Sequence, residues 1–253
     1  MAEDPQWRGL AVVGKGPKSY SRYYHIPRTS ADLLDRSRLI EASTAEGGTV
    51  VVLIKEIGSD ALFALQRIAS RVDRDRGTEY LPRVERFYRH CRDNDLAIAV
   101  AQTDAKGDRS KGPTEQSHPD YYLRIVNRRH DGIVVRGAKC HTSVSVNSNE
   151  IIVLPTRTMG DKDKNYALAF ACPANEPGLT MIASPYLSGE RNTFENPISS
   201  RHKMMETVTI FEDVFVPWER VFLCGEWEFA GPLALSFVEY HRFTAVSYKL
   251  PLV

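Results

Sequence analysis

Near Leu96 the spacing of apolar residues switches from a helical period to a period of two, and few architectures satisfy both halves of such a chain. From Ser30 to about Asn94 the pattern is helical. Ser30 can cap a helix opening Ala31-Asp32-Leu33-Leu34, and Leu33, Leu34, Leu39 and Ile40 recur at spacings suited to one buried face. Gly47-Gly48 interrupts it. Thr49 to Ser70 is apolar enough for a buried helix; the β-branched Val50-Val51-Val52 would suit a strand, but the length and the Leu62, Leu65, Ala69 spacing favour helix. Leu81 to Cys91 reads as a further amphipathic helix, ending near Asp93-Asn94.

Beyond the switch, Tyr121 to Val126 and Ile133 to Gly137 flank His130-Asp131-Gly132, and Asp-Gly between alternating runs signals a hairpin. Further strands are expected at Glu150 to Pro155, Tyr166 to Cys172, Leu179 to Ala183 and Thr207 to Phe211. Many short strands so spaced suggest an antiparallel sandwich or barrel. Trp227 to Lys249 is helical again, with Leu233, Phe237 and Tyr240 on one face and Pro251 discouraging extension. The overall class is α+β.

Composition narrows the partners. The 33 basic and 32 acidic residues nearly cancel, so charge gives no argument for nucleic acid or an anionic membrane. No apolar run is long enough to cross a bilayer, and the acidic N-terminus lacks the pattern of a secretory signal, which predicts a cytoplasmic protein. Cys91, Cys140, Cys172 and Cys224 form no closely spaced pair, so no metal site is expected and reduced, buried thiols are.

The connection Gln102-Thr103-Asp104-Ala105-Lys106-Gly107-Asp108-Arg109-Ser110 leaves the apolar run Leu96 to Val100. Its backbone N–H groups, Lys106 and Arg109 suit a polyphosphate or the polar edge of a ring. A solvated loop would have the same composition.

Three blocks in the same order carry a resemblance: the connection from Thr103 to Ser110, the hairpin from Arg124 through Lys139, and Phe211-Glu212-Asp213-Val214-Phe215-Val216-Pro217-Trp218-Glu219-Arg220-Val221. The chain resembles the 4-hydroxyphenylacetate 3-monooxygenase and 4-hydroxybutyryl-CoA dehydratase family. That resemblance implies an acyl-CoA dehydrogenase-like fold: an N-terminal helical domain over 1–95, a middle antiparallel β-domain over 96–224, and the first helix of a C-terminal bundle over 225–253. Family members are usually longer, so most of the bundle is expected to be missing.

The resemblance implies FAD as cofactor, bordered by Gln102, Thr103, Lys106, Gly107, Asp108, Arg109 and Ser110, with Thr142 and Ser143 contributing from the β-domain. It also implies a flavin reductase as partner, and either a homo-oligomer or a partner chain supplying the missing helices. The function so implied is a flavin-dependent oxidoreductase, using reduced flavin to oxygenate or otherwise oxidise a small aromatic or acyl substrate.

The two branches of the family leave different marks. The phenol hydroxylases resemble one another in an Arg and a Tyr four residues apart, and the corresponding position here reads Gly58-Ser59-Asp60-Ala61-Leu62; Arg76 and Tyr80 reproduce the spacing in a charged inter-helix segment. The tail, Phe222 to Gly231 and then Tyr240-His241-Arg242, looks like the dehydratase branch. There the matching His joins three cysteines around a 4Fe–4S cluster. Here His241 stands without them, because Val50 to Ile57 has no Cys and the seventh residue after His241 is Tyr248. A dehydratase or isomerase without the cluster, or a truncated inactive relative, is therefore the alternative reading. His241 and Glu206 are the expected acid–base residues, with Lys249 a lesser candidate.

Overall fold

The computed structural model describes residues 2–47, 55–184, 192, 194–197 and 204–250. Helix α1 (Pro5–Ala11) leads through a two-stranded ribbon, β1 (Val12–Val13) and β2 (Tyr20–Ser21), to three longer helices, α2 (Ser30–Gly47), α3 (Glu56–Arg76) and α4 (Tyr80–Asp93). Then follow β3 (Ile98–Ala101), β4 (Arg124–Arg128), β5 (Gly132–Ser143), β6 (Glu150–Val153), β7 (Leu168–Pro173), β8 (Leu179–Ala183), β9 (Glu206–Pro217) and β10 (Val221–Cys224). Helix α5 (Ala230–Lys249) comes last.

Each long helix follows from local chemistry. Thr29, one residue before the expected cap, receives the Asp32 N–H on its hydroxyl, while the Asp32 carboxylate accepts the Thr29 N–H, a reciprocal cap for α2. Hydrogen bonds from the Arg28 backbone and then the Thr29 hydroxyl hold the Asp32 carboxyl well below the usual range. The buried stripe of α2 is Arg36, Leu39, Ile40, Ser43 and Thr44, so the expected face is rotated: Leu33 and Leu34 are 41% and 50% exposed. Helix α3 ends on Gly77 in the left-handed conformation, φ +69°. Its expected N-terminal portion, including Val50-Val51-Val52, lies outside the described residues. Helix α4 buries Tyr80, Val84, Phe87, Tyr88 and Cys91, an amphipathic repeat.

Of two four-stranded sheets, one packs on the helices and the other on the first sheet. One has the order β10-β7-β6-β3 and the other β4-β5-β9-β8. All pairs in them are antiparallel except β3 with β6, which departs from the expected antiparallel domain. The connection between β3 and β6 contains the whole β4–β5 hairpin, long enough for the crossover that parallel strands need. Every residue of β3 and β6 is buried, as befits strands covered on both faces. Phe170 of β7 and Phe211 of β9 meet edge to face, 5.9 Å between centroids, and join the sheets through the core.

Helix α3 sits directly on β3. A Cβ added to Gly58 would lie 2.4 Å from the Ile98 Cβ, so only glycine permits this approach. Helix α5 packs on α3 and α2 with Leu233 and Phe237 buried, while Tyr240, half-buried, meets the Phe63 ring edge to face at 6.0 Å. Arg76 and Tyr80 bond Glu228 and Glu226, stapling the α3–α4 junction to the segment before α5. Among the described residues no helix is long and apolar enough to cross a membrane.

Candidate functional site

The bend after β3 is built around a buried charge. Asp104 accepts the Leu123 N–H and the Thr156 hydroxyl, and pairs with Lys139 of β5. Cys140 donates its N–H to the Thr103 carbonyl at 2.7 Å, and the Gln102 amide reaches the Pro155 carbonyl at 3.5 Å. These bonds pin the bend to both sheets.

Its tip is a tight turn. Lys106 and Gly107 both have positive φ, +71° and +63°, and a Cβ on Gly107 would lie 2.7 Å from the Tyr121 ring. The exposed Asp108 carboxylate accepts the hydroxyl and then the N–H of Ser110, which hold its carboxyl below the usual range. Gln116 closes the turn with bonds to the Asp108 N–H and carbonyl. Gly107, Asp108 and Ser110 thus shape the bend, while Lys106 and Arg109 line a cavity of about 200 Å³ with Tyr122, Thr156 and Arg157. The Tyr122 hydroxyl is buried and has no hydrogen-bond partner. Three cations and an orphaned donor fit an anionic or carbonyl-rich group, and the volume holds part of a dinucleotide.

Thr142 and Ser143 form no hydrogen bond with that bend. Thr142 is fully buried in a hydroxyl network with Thr209, Thr207 and Ser145. Ser143 donates to Glu206 Oε1 at 2.7 Å, leaving Glu206 Oε2 buried without a partner. A bulge between Lys139 and Thr142 and left-handed conformations at His141 and Val144 bracket this pair. Positive φ at a β-branched residue such as Val144 marks local strain.

His241 belongs to a third group, near the helices. Its Nδ1 lies 3.4 Å from Asp60 Oδ2, and its ring stacks on Phe237 with 5.6 Å between centroids. Asp60 also accepts from Arg36 at 2.7 Å, and both are almost wholly buried. Glu56, one turn before Asp60, has a buried, unpartnered Oε2, and burial pushes its carboxyl up to about 7 against the pull of Arg36. Lys249 places its ammonium over the Tyr248 ring. Glu206 and His241 form no hydrogen bond with each other. No three His, Cys, Asp or Glu side chains among the described residues converge as a metal-binding group.

Sequence reasoning missed Arg36, Glu56, Asp60, Tyr122, Thr156 and Arg157. A signal existed for the first three: Arg36 occupies the stripe position that precedes Leu39 and Ile40, and Glu56 and Asp60 share one face of α3 at a spacing of four. Charges on a buried face need partners.

Comparison with known proteins accords with this architecture. Residues 1–223 match the family described as 4-hydroxyphenylacetate 3-hydroxylase N terminal. The chain is 36% identical over 251 residues to the 4-hydroxybutyryl-CoA dehydratase/vinylacetyl-CoA-Delta-isomerase of Clostridium aminobutyricum, covering 96% of this chain and 50% of that protein. It is 32% identical over 228 residues to the 4-hydroxyphenylacetate 3-monooxygenase oxygenase component of Thermus thermophilus, covering 90% and 46%. The chain thus spans about half the length of these relatives. Among solved structures, an oxygen-tolerant archaeal 4-hydroxybutyryl-CoA dehydratase from N. maritimus superposes with a TM-score of 0.88 at 32% identity, over 98% of this chain and 50% of that one. An oxygenase component of 4-hydroxyphenylacetate 3-monooxygenase complexed with FAD gives 0.84 at 27%, over 99% and 52%. Butyryl-CoA dehydrogenase from Megasphaera elsdenii, at 0.51 and 18% over 88% and 49%, shares the fold alone. The chain has the acyl-CoA dehydrogenase-like fold and belongs to the 4-hydroxyphenylacetate 3-hydroxylase family.

Proposed function

We propose that this chain forms the flavin-binding part of an FAD-dependent oxidoreductase that oxygenates or otherwise oxidises a small aromatic or acyl substrate. The observation that carries this reading is the cavity beside the bend, where Lys106, Arg109 and Arg157 converge with Tyr122, a residue whose hydroxyl is buried without a partner. Bound there, reduced FAD would supply two electrons to dioxygen, the oxidant, so that one oxygen atom enters the substrate and the other leaves as water. Lys106, Arg109 and Arg157 would hold its anionic or carbonyl edge, and Tyr122 would donate to it. Gln102, Thr103, Gly107, Asp108 and Ser110 would keep the bend in shape, while Thr142 and Ser143 would order the strand end beside Glu206. His241 and Glu206 would move protons, each with one site left for a substrate atom: Nε2 on the imidazole and Oε2 on the carboxyl.

A flavin reductase is the proposed electron donor, and a homo-oligomer or a partner chain the proposed assembly. Exposed Leu235, Val246 and Leu250 on and just beyond α5 support apolar contacts with further helices or subunits. Four unpaired cysteines accord with a reducing, cytoplasmic setting.

Titration of the chain with FAD, followed by quenching of flavin fluorescence, tests the reading. Saturable quenching that weakens in Tyr122→Phe is expected; the absence of quenching at high micromolar flavin would overturn it. Formation of a hydroxylated product from a phenol, reduced FAD and dioxygen, above the level without the chain, then tests the oxidation. A second reading, dehydration or isomerisation of a 4-hydroxyacyl thioester without a cluster, is favoured by the likeness to two dehydratases. Formation of an unsaturated thioester from 4-hydroxybutyryl-CoA by the FAD-loaded chain would select it.

A further inference from the structure

We infer that the buried Arg36–Asp60 pair is a positioning device for His241, which assigns the proton of the neutral imidazole to Nδ1 and leaves the lone pair on Nε2. Arg36 is held from every side. Its Nη1 donates to the Tyr23 carbonyl at 2.8 Å, its Nη2 to Ser59 Oγ at 2.9 Å, to Asp60 Oδ1 at 2.7 Å and to the Glu56 carbonyl at 3.3 Å. The guanidinium also lies over the Phe63 ring, 5.4 Å from its centroid. An arginine does not deprotonate in a protein, so this buried cation requires a counter-charge. Asp60 is the side chain placed to supply it, and it must then be a carboxylate.

The tautomer follows from that charge. A carboxylate only accepts hydrogen bonds, and Asp60 uses Oδ1 for Arg36 and Oδ2 for His241 Nδ1. Were Nδ1 the bare nitrogen, two lone pairs would face each other at 3.4 Å. With the proton on Nδ1 the contact becomes a charge-assisted hydrogen bond. Stacking on Phe237, 6° from parallel, holds the ring plane, so the tautomer and the orientation are set together. Helix α3 thereby determines which atom of an α5 side chain can take a proton.

The catalytic consequence rests on the proposed proton-transfer role of His241; the tautomer does not. Two-bond 1H–15N correlation spectra of the 15N-histidine-labelled full chain, recorded where the ring is neutral, read it directly, with His241→Gln identifying the signals. Expected is a pyrrole-type Nδ1 and a pyridine-type Nε2; a pyridine-type Nδ1 overturns the inference. In Asp60→Asn, whose amide can donate to a bare Nδ1, the Nε2–H form should gain population, whereas Asp60→Glu should keep the Nδ1–H form. An unchanged tautomer in a folded Asp60→Asn overturns the inference, and if that variant does not fold, the wild-type spectrum still decides. In whichever oxidation or thioester assay turns over, Asp60→Asn should lower kcat roughly 10- to 100-fold with KM nearly unchanged, and Asp60→Glu should restore part of it. Full activity in His241→Gln would remove the proton-transfer role and leave the tautomer standing. A reversed tautomer with an inactive His241→Gln would do the opposite.

Discussion

Lys139 of β5 and Asp104 of the bend after β3 form a buried ion pair at 2.8 Å, with both side chains almost fully enclosed. The ammonium also donates to the carbonyls of Gln102 and Leu154, at 2.8 and 2.9 Å, so one cation ties together the ends of β3 and β6 and the middle of β5. Burial pulls the Lys139 pKa down and Asp104 pulls it back up. The shape of the proposed cofactor bend depends on this pair.

Lys139→Met should therefore cost about 3–5 kcal/mol in urea unfolding, because it strands the Asp104 charge among Leu123 and Thr156. Adding Asp104→Leu should recover part of that loss. Additive single and double variants would mean that the two side chains act independently.

Glu56 predicts the sign of a pH effect. Its folded pKa of about 7 lies above the ordinary 4.5, so the folded state binds more protons between those values. Its contribution to stability is fully present below about 4.5, falls as pH rises through about 7, and levels off above. The total is on the order of 3 kcal/mol. Glu56→Gln should flatten this part of the stability–pH profile, and the variant should gain most over the parent near pH 8, as measured by chemical denaturation. A parallel pair of profiles would refute the assignment.

Tyr122→Phe separates a cofactor group from a structural one. Without FAD the chain should be as stable as the parent or more so, since an unpartnered buried hydroxyl is removed. FAD affinity should fall by about 1 kcal/mol, roughly fivefold. Arg109, exposed and without a hydrogen-bond partner among the described residues, should when changed to Ala weaken FAD binding and flatten its salt dependence.

Gly107→Ala should lower stability by about 1–3 kcal/mol, since φ is +63° there and the new methyl would press on Tyr121 and Gln116. The distortion should also weaken FAD binding. Unchanged melting and affinity would show that the turn has freedom its contacts do not suggest.

The helices and strands were legible because their periods are local. The hairpin turn at Asp131-Gly132, the amphipathic α4 and the Leu179–Ala183 strand all appear where the residues predict them. Register around the bundle was less so: Leu33 and Leu34 share the spacing of Leu39 and Ile40 yet face solvent, because Arg36 takes the buried position. The parallel β3–β6 pairing was hidden as well, since each strand is a short apolar run that fits either orientation.

What the sequence determined by itself was the order of layers, the family and the bend that leaves β3, all consequences of residues near one another along the chain. Which charges meet was decided only by the fold. Arg36, Asp60 and His241 lie on three helices, Asp104 ahead of the β4–β5 hairpin and Lys139 on its second strand, and Ser143 and Glu206 on paired strands. Their partnerships follow from burial, which makes an unpaired charge or carboxyl costly wherever its partner stands in the sequence.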